Sequence, residues 1–244
     1  MSSAPEGGGD LPRLRAGGGQ THRTDVLVLG ASFAGIEVVL QLQRRLARPL
    51  RITVVDRQPS HGYIPLVHER LCGRLPAETT ALPTARFVDS LPGASFVRGE
   101  VSAFDPDRKQ VTLTSGQRIR ARFVVVALGS ELAPPPSLPG SELLLRAKQG
   151  DEVEHARERL DELLRGGEGE GEDPPPRLVV VGGGISGAEL AGELALLRRE
   201  RPSGWRAPEV TLVSAGERLL PELSVGVGRK ASAALRAQGV ELRL

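Results

Sequence analysis

Residues 178–194 read LVVVGGGISGAELAGEL, and this stretch decides how the rest of the chain is read. Leu178 to Val181 is a short apolar, β-branched run of the kind buried in a parallel sheet. It breaks into Gly182, Gly183 and Gly184, then Gly187, and continues as a helical pattern. Strand, glycine turn and helix in that order give a GxGxxG match the context that makes it informative. In that context Gly182 permits the tight turn, Gly184 lets the backbone approach a pyrophosphate, and Gly187 lets the helix lie close on the strand. The N–H groups and positive dipole end of the helix then face the phosphates.

The pattern occurs once before. Residues 26–40 read VLVLGASFAGIEVVL, with Gly30 and Gly35 at the first and third glycine positions and Ser32 in place of the middle one. A shift of 152 residues puts Gly30 on Gly182, Gly35 on Gly187 and Glu37 on Glu189. Two dinucleotide cradles in one chain imply two nucleotides handled together.

The bulk properties bound this reading. A length of 244 residues allows one or two domains, each able to bury a core. With 39% hydrophobic and 25% charged residues the composition is that of a globular protein. Net charge is +2 without a basic stripe or aromatic platform, so nucleic acid is not an implied partner. No apolar stretch approaches the length of a bilayer crossing, and the N-terminus carries no apolar signal core. The expected location is cytoplasmic, with a peripheral contact at the inner membrane face left open. Cys72 is the one cysteine, so no redox pair exists within the chain, and a small half-buried side chain is its expected role. No metal-spaced His/Cys cluster and no Ser-His-Asp set is found.

Residues 1–23, rich in glycine, read as a disordered leader. Thr24–Leu29 is the first strand, Ala34–Ala47 a helix, and Leu50–Val55 the second strand, with Asp56 at its tip. Asp56 lies 21 residues past Gly35, where this fold places an acid that accepts ribose hydroxyls; the alternative is a surface Asp opening the turn before Pro59. The βαβ order favours the ribose role. Residues 61–85 read as a loop with a short helix over Val67–Cys72, and His61, Tyr63 and His68 are candidates to line a ring. Phe87–Ser90 and Ala94–Val97 read as short strands, Gly99–Phe104 and Gln110–Thr114 as a hairpin, and Phe123–Leu128 as a buried strand. Residues 133–139 form a stiff connector, Asp151–Arg165 an amphipathic helix burying Val153, Ala156, Leu160, Leu163 and Leu164, and Gly166–Pro176 a flexible acidic linker. The second unit then continues with a strand over Val210–Val213, a helix over Ser224–Gln238 and a final strand from Gly239. The expected fold is α/β: two Rossmann-like, three-layer dinucleotide-binding units, the second incomplete. Residues 24–145 form the first unit, 146–176 a helix and linker, and 177–244 the second unit.

The ordered series LGASFAGIE with VVD at 54–56, GEVSAFDPDRKQVTL at 99–113, RFVVVALGS at 122–130, the opening motif, and VTLVSAGERLLP at 210–221 resembles the pyridine nucleotide-disulfide oxidoreductase superfamily. Within it the chain looks most like type II NADH:quinone oxidoreductases, and next like apoptosis-inducing-factor-like reductases. The resemblance implies FAD in the first cradle, its pyrophosphate met by Gly30, Ser32 and Gly35, its adenosine ribose by Asp56 and its adenine by the Val101 backbone, with Phe33, Ala34 and Arg57 also among the cofactor-binding residues. It implies a second FAD-contacting turn at Ala127 to Gly129. NAD(P)H would lie on Gly182, Gly184, Ile185, Ser186 and Gly187, with Ser214 and Arg218 at its ribose. Glu189 matches a family glutamate near nicotinamide and flavin; its alternative reading is a helix N-terminal acid favoured by the dipole. The implied activity is hydride transfer from nicotinamide to flavin and on to an acceptor, a quinone first, a ferredoxin- or rubredoxin-like carrier second. Without a cysteine pair the chain is not expected to reduce disulfides.

Three departures accompany the resemblance. Ser214 stands where an NAD-preferring member has an acid, and Arg218 is a candidate for a 2′-phosphate, which leaves NADPH open. Ser32 crowds the first pyrophosphate approach slightly. The chain ends at Leu244, inside the second unit, so the expectation is a fragment, a truncated product or half of a split protein. A non-catalytic nucleotide-binding protein is the competing reading.

Overall fold

Val26 to Leu29 are all buried, and the strand that carries them, β1 (Thr21–Leu29), is an interior strand of the first sheet. The computed structural model describes residues 21–46, 48, 50–132, 139–148, 150–165 and 174–244. Most of the expected leader, residues 133–138 of the connector and residues 166–173 of the linker lie outside the described residues. β1 runs through a glycine turn into α1 (Phe33–Arg45) and returns as β2 (Ile52–Asp56). A two-residue strand β3 (His61–Gly62) precedes α2 (Val67–Leu71) and α3 (Ala77–Thr80), and its partner β4 (Ala81–Leu82) follows them. Next come α4 (Thr84–Asp89), β5 (Ala94–Arg98), β6 (Val101–Asp105), β7 (Gln110–Leu113) and β8 (Arg118–Val126). The remainder is α5 (Gly150–Arg165), β9 (Arg177–Val181), α6 (Ile185–Leu196), β10 (Glu209–Val213), α7 (Val225–Ala237) and β11 (Glu241–Arg243).

The described residues pack as two compact units, 21–61 with 83–130 and 62–82 with 131–244. This differs from the boundaries expected from sequence. The step falls after Ser130, and segment 62–82 joins the second unit because Leu71 and Cys72 enter the same core as Leu160 and Leu164 of α5.

In the first unit the strand order is β5-β2-β1-β8-β7-β6, the first four parallel and the last two a hairpin. Alternation along β1 serves both faces. Val26 and Val28 join Val39 of α1 and Val88 of α4, while Leu27 and Leu29 join Val111, Leu113 and Ile119. Each fully buried aliphatic side chain contributes about 1.5–3 kcal/mol. The second unit has a parallel sheet β11-β10-β9 whose core gathers Leu194 and Ala195 of α6, Leu212 of β10, Leu235 of α7, Trp205 and Leu219.

Several expectations need correction. β1 begins at Thr21, inside the expected leader, because residues 21–24 pair with Arg118 to Ala121 of β8. Residues 87–89 are not a strand but the end of α4: Thr84 and Val88, four apart, are both buried, the helical spacing that so short a run conceals. The 61–85 segment carries α3 as well as the expected helix. The strand over 123–128 is not buried, since Phe123, Val126 and Leu128 are exposed. In β9 only Val180 is buried; Val179 and Val181 point to the opposite face, where β9, an edge strand, leaves them exposed. Leu163 turns out of the buried face of α5.

Candidate functional site

The first cradle is the turn between β1 and α1. Gly30 has φ +102°, a left-handed conformation, and a Cβ there would sit 2.2 Å from the carbonyl oxygen of Ala127. Its N–H donates to Val55 O at 2.8 Å, which ties the turn to β2. A Cβ on Gly35 would sit 1.9 Å from Gly30 O, so the first turn of α1 rests directly on the strand end. The first intrahelical bond is Ile36 N–H to Ser32 O at 2.9 Å, and the Ser32 hydroxyl does not cap its own helix. Phe33 and Ala34 are exposed on that turn and Gly35 is buried.

Asp56 reaches this turn from the end of β2. Its Oδ2 accepts the Ala31 N–H at 2.7 Å and its Oδ1 the Gln58 N–H at 2.9 Å. The acid predicted for ribose therefore also clasps the glycine turn, with lone pairs remaining on both oxygens. Arg57 is more than half exposed, with Nη1 4.0 Å from Glu100 Oε1. Val101 is half-buried beside Leu113, Ala127 walls the Gly30 turn, and Gly129 is exposed beyond it.

The second cradle repeats the construction. Gly182 has φ +120°, its N–H donates to Val213 O at 2.8 Å, and a Cβ on Gly187 would again lie 1.9 Å from Gly182 O. Gly184 begins α6 without a side-chain cap, and Ile185 and Ser186 are exposed on its first turn. No carboxylate stands at the tip of β10. Ser214 Oγ there accepts the Gly216 N–H at 3.3 Å. Arg218 commits its guanidinium to its own loop: Nη1 donates to Leu220 O and Leu223 O at 3.0 and 3.1 Å, and Nη2 to Pro221 O at 2.7 Å. That brace carries Leu220 in a left-handed conformation, φ +52°, from which its N–H donates to Gly183 O at 2.8 Å.

Glu189, two residues past Gly187, lies 3.6 Å from His68 Nδ1; its side chain is 57% exposed and that of His68 12%. Both line a cavity of about 260 Å³ with Glu69, Glu193 and Gln238. Among the described residues no group of three or more His, Cys, Asp or Glu is placed to hold a metal ion, and no helix is long and apolar enough to cross a membrane.

Residues 24–244 match the family described as pyridine nucleotide-disulphide oxidoreductase. The chain belongs to that family. It is 28% identical over 232 residues to a type II NADH:quinone oxidoreductase of Staphylococcus aureus, covering 91% of this chain and 56% of that protein. In fold it is similar to NDH2 of Plasmodium falciparum solved in complex with NADH, with TM-score 0.75, 13% identity, and coverage of 90% of this chain and 47% of that one. A second structural relative is putidaredoxin reductase in its covalent complex with putidaredoxin, with TM-score 0.69, 24% identity, and coverage of 90% and 49%. The chain spans about half the length of the relatives it matches.

Sequence reasoning missed the clasp of Asp56, the brace of Arg218 and the fit of Gly183, where a Cβ would lie 2.6 Å from Ser214 Oγ. It named His61 and His68 only as ring-lining candidates. The structure sets His61 Nε2 3.5 Å from Ser32 Oγ and the His61 ring edge-on to Phe33, centroids 4.6 Å apart. Contacts between residues 29 and 121 positions apart leave no local pattern to read.

Proposed function

We propose that this chain binds FAD in the first cradle and NAD(P)H in the second, and serves an oxidoreductase that passes hydride from nicotinamide to flavin and electrons on to a quinone. The observation that carries this reading is the matched construction of the two turns, in each of which the third glycine lies on the carbonyl of the first. A side chain at either position would push the helix off the strand end, and with it the N-terminal ends that α1 and α6 present to a pyrophosphate. The residues present therefore fit two dinucleotides. When bound, these cofactors supply the redox chemistry, a hydride donor and a flavin acceptor.

The chain's own residues bind and orient. Gly30, Ser32, Phe33, Ala34 and Gly35 hold the first pyrophosphate, and Asp56 uses its remaining lone pairs on the adenosine ribose, with Arg57 and Val101 beside it. Ala127 and Gly129 give the second contact with the flavin nucleotide. Gly182, Gly184, Ile185, Ser186 and Gly187 hold the nicotinamide nucleotide, and Glu189 lies near its reactive end. Arg218 spends three donors on carbonyls, which favours NADH over a nucleotide with a 2′-phosphate. The quinone is taken from the named Staphylococcus relative, and a peripheral membrane site accords with such an acceptor.

Purified protein supplemented with FAD and titrated anaerobically with NADH or NADPH tests the reading. Bound flavin should bleach, faster with NADH, and regain its colour on adding a soluble quinone. A protein that leaves FAD free, or holds flavin that neither nucleotide bleaches, overturns the oxidoreductase reading and supports a non-catalytic nucleotide-binding role.

A further inference from the structure

We propose that His61 is a pyrophosphate-binding residue of the first cradle and that dinucleotide binding there takes up one proton on its imidazole. The proposal rests on the assignment of FAD to that cradle. Its starting point is position. Ser32 stands where the motif's middle glycine lets a pyrophosphate approach, and its hydroxyl lies 3.5 Å from His61 Nε2. The same imidazole meets the ring of Phe33, the first residue of α1, edge-on, with centroids 4.6 Å apart and planes at 84°. Two contacts, one from the cap residue and one from the first helical residue, hold the ring at the mouth of the turn. The side chain next to a phosphate seated at Ser32 is therefore an imidazole, the group best suited to change charge near neutral pH.

The electrostatics run the same way. Burial holds the His61 imidazole below the usual histidine range, and the Asp56 carboxylate opposes that shift. Asp56 is the charged group that acts on it; Ser32 and Phe33, the side chains in contact with the ring, carry no charge. Without a nucleotide His61 is thus biased toward the neutral form at pH 7. A pyrophosphate adds two negative charges beside it, favours the imidazolium, and raises its pKa. A group whose pKa is higher in the complex binds a proton as the complex forms. Affinity then rises as pH falls through the bound-state pKa, and levels off below the free-state pKa. FAD contributes no titration of its own here, since neither its phosphodiesters, its adenine nor its flavin changes charge near neutral pH.

Calorimetric titration of flavin-free protein with FAD tests this directly. Run at pH 7 in two buffers of different ionisation enthalpy, it should show uptake of a substantial fraction of one proton. Repeated from pH 8 to pH 6, it should show affinity rising by about tenfold. His61→Gln should bind FAD more weakly at pH 6 and lose both the uptake and the slope. His22→Gln, which removes an imidazole that meets Thr53 Oγ1 at 3.3 Å instead, should keep them. FAD binding with no proton uptake in the unmodified chain, or uptake that survives His61→Gln, overturns the role of His61 and leaves the cradle assignment standing. Failure to bind FAD at any pH overturns both.

Discussion

A methyl group on Gly35 would lie 1.9 Å from the oxygen of Gly30, and one on Gly187 the same distance from that of Gly182. Neither oxygen can retreat without moving its strand end, so the helix must move instead, at a cost of about 1–3 kcal/mol or more. The two substitutions should separate the cradles. Gly35→Ala is expected to weaken FAD retention by at least about tenfold, read as flavin lost on gel filtration. Gly187→Ala is expected to keep the flavin and slow its bleaching by NADH to a similar degree. Asp56→Ala strands the N–H groups of Ala31 and Gln58 and removes the proposed ribose partner. It should lower both FAD affinity and thermal stability, the latter by about 1–3 kcal/mol. Asp56→Asn, which keeps one acceptor, should recover part of the stability. Cys72 makes a different prediction. It is fully buried, and that burial pushes its thiol up to about 12, so almost none is thiolate at pH 8. A disulfide reagent such as DTNB should leave it untouched in the native protein and titrate one thiol after unfolding. Labelling of the native chain at a normal rate would contradict the packing around it.

At the scale of elements, the strands and helices of the two glycine motifs were legible because periodicity and punctuation agreed there. Val26 to Leu29 lead into Gly30, and the Val179–Val181 run leads into Gly182, without a competing signal. Where they failed, tertiary context had decided. RFVD at 86–89 is too short to show whether its period is helical, and only the burial of Thr84 with Val88 settles it. The buried or exposed state of Phe123 and Val179 depends on what lies over each sheet face, which no local pattern encodes. The join of α5 to the Trp205 loop is similarly non-local. Trp205 Nε1 donates to Asp161 Oδ1 at 2.7 Å, and the Arg165 guanidinium, then this indole, hold the Asp161 carboxyl below the usual carboxylate range. A depressed carboxyl adds stability that is present above its ordinary pKa and is lost as pH falls through the folded-state value. Trp205 is the sole tryptophan, so tryptophan emission comes from this indole and its surroundings, Asp161 among them. Asp161→Asn should change that emission and lower the melting temperature modestly at pH 7. The difference from the parent chain should shrink in acid, and a gap that stays constant down to pH 3 would count against the contact.

Across the whole molecule, each unit carries one cradle on its own core, Val28 and Val54 in one, Leu212 and Leu194 in the other. Each nucleotide should therefore protect its own unit. FAD should slow amide exchange over residues 30–35 and at Ala127, NADH over residues 182–187. At a hundredfold excess over Kd each stabilises what it binds by about 2.7 kcal/mol. Protection by NADH confined to residues 30–35 would reverse the assignment of the two cradles. The sequence made the pair of cradles plain at this scale, because a repeat 152 residues apart is visible without coordinates. It did not show what holds each turn, because Asp56 and Arg218 act on the backbone and backbone partners leave no signature in side-chain order.

That support has a practical consequence. The Gly30 turn is held by Asp56, Val55 and Ala127, all groups of the chain itself, so its shape does not depend on an occupant. A receptacle of this kind can be emptied and refilled. Chains stripped of flavin should accept analogues such as a deazaflavin dinucleotide, whose adenosine and pyrophosphate ends are unchanged. The driving force of the proposed electron transfer would then be set by the choice of flavin ring, without altering a single residue.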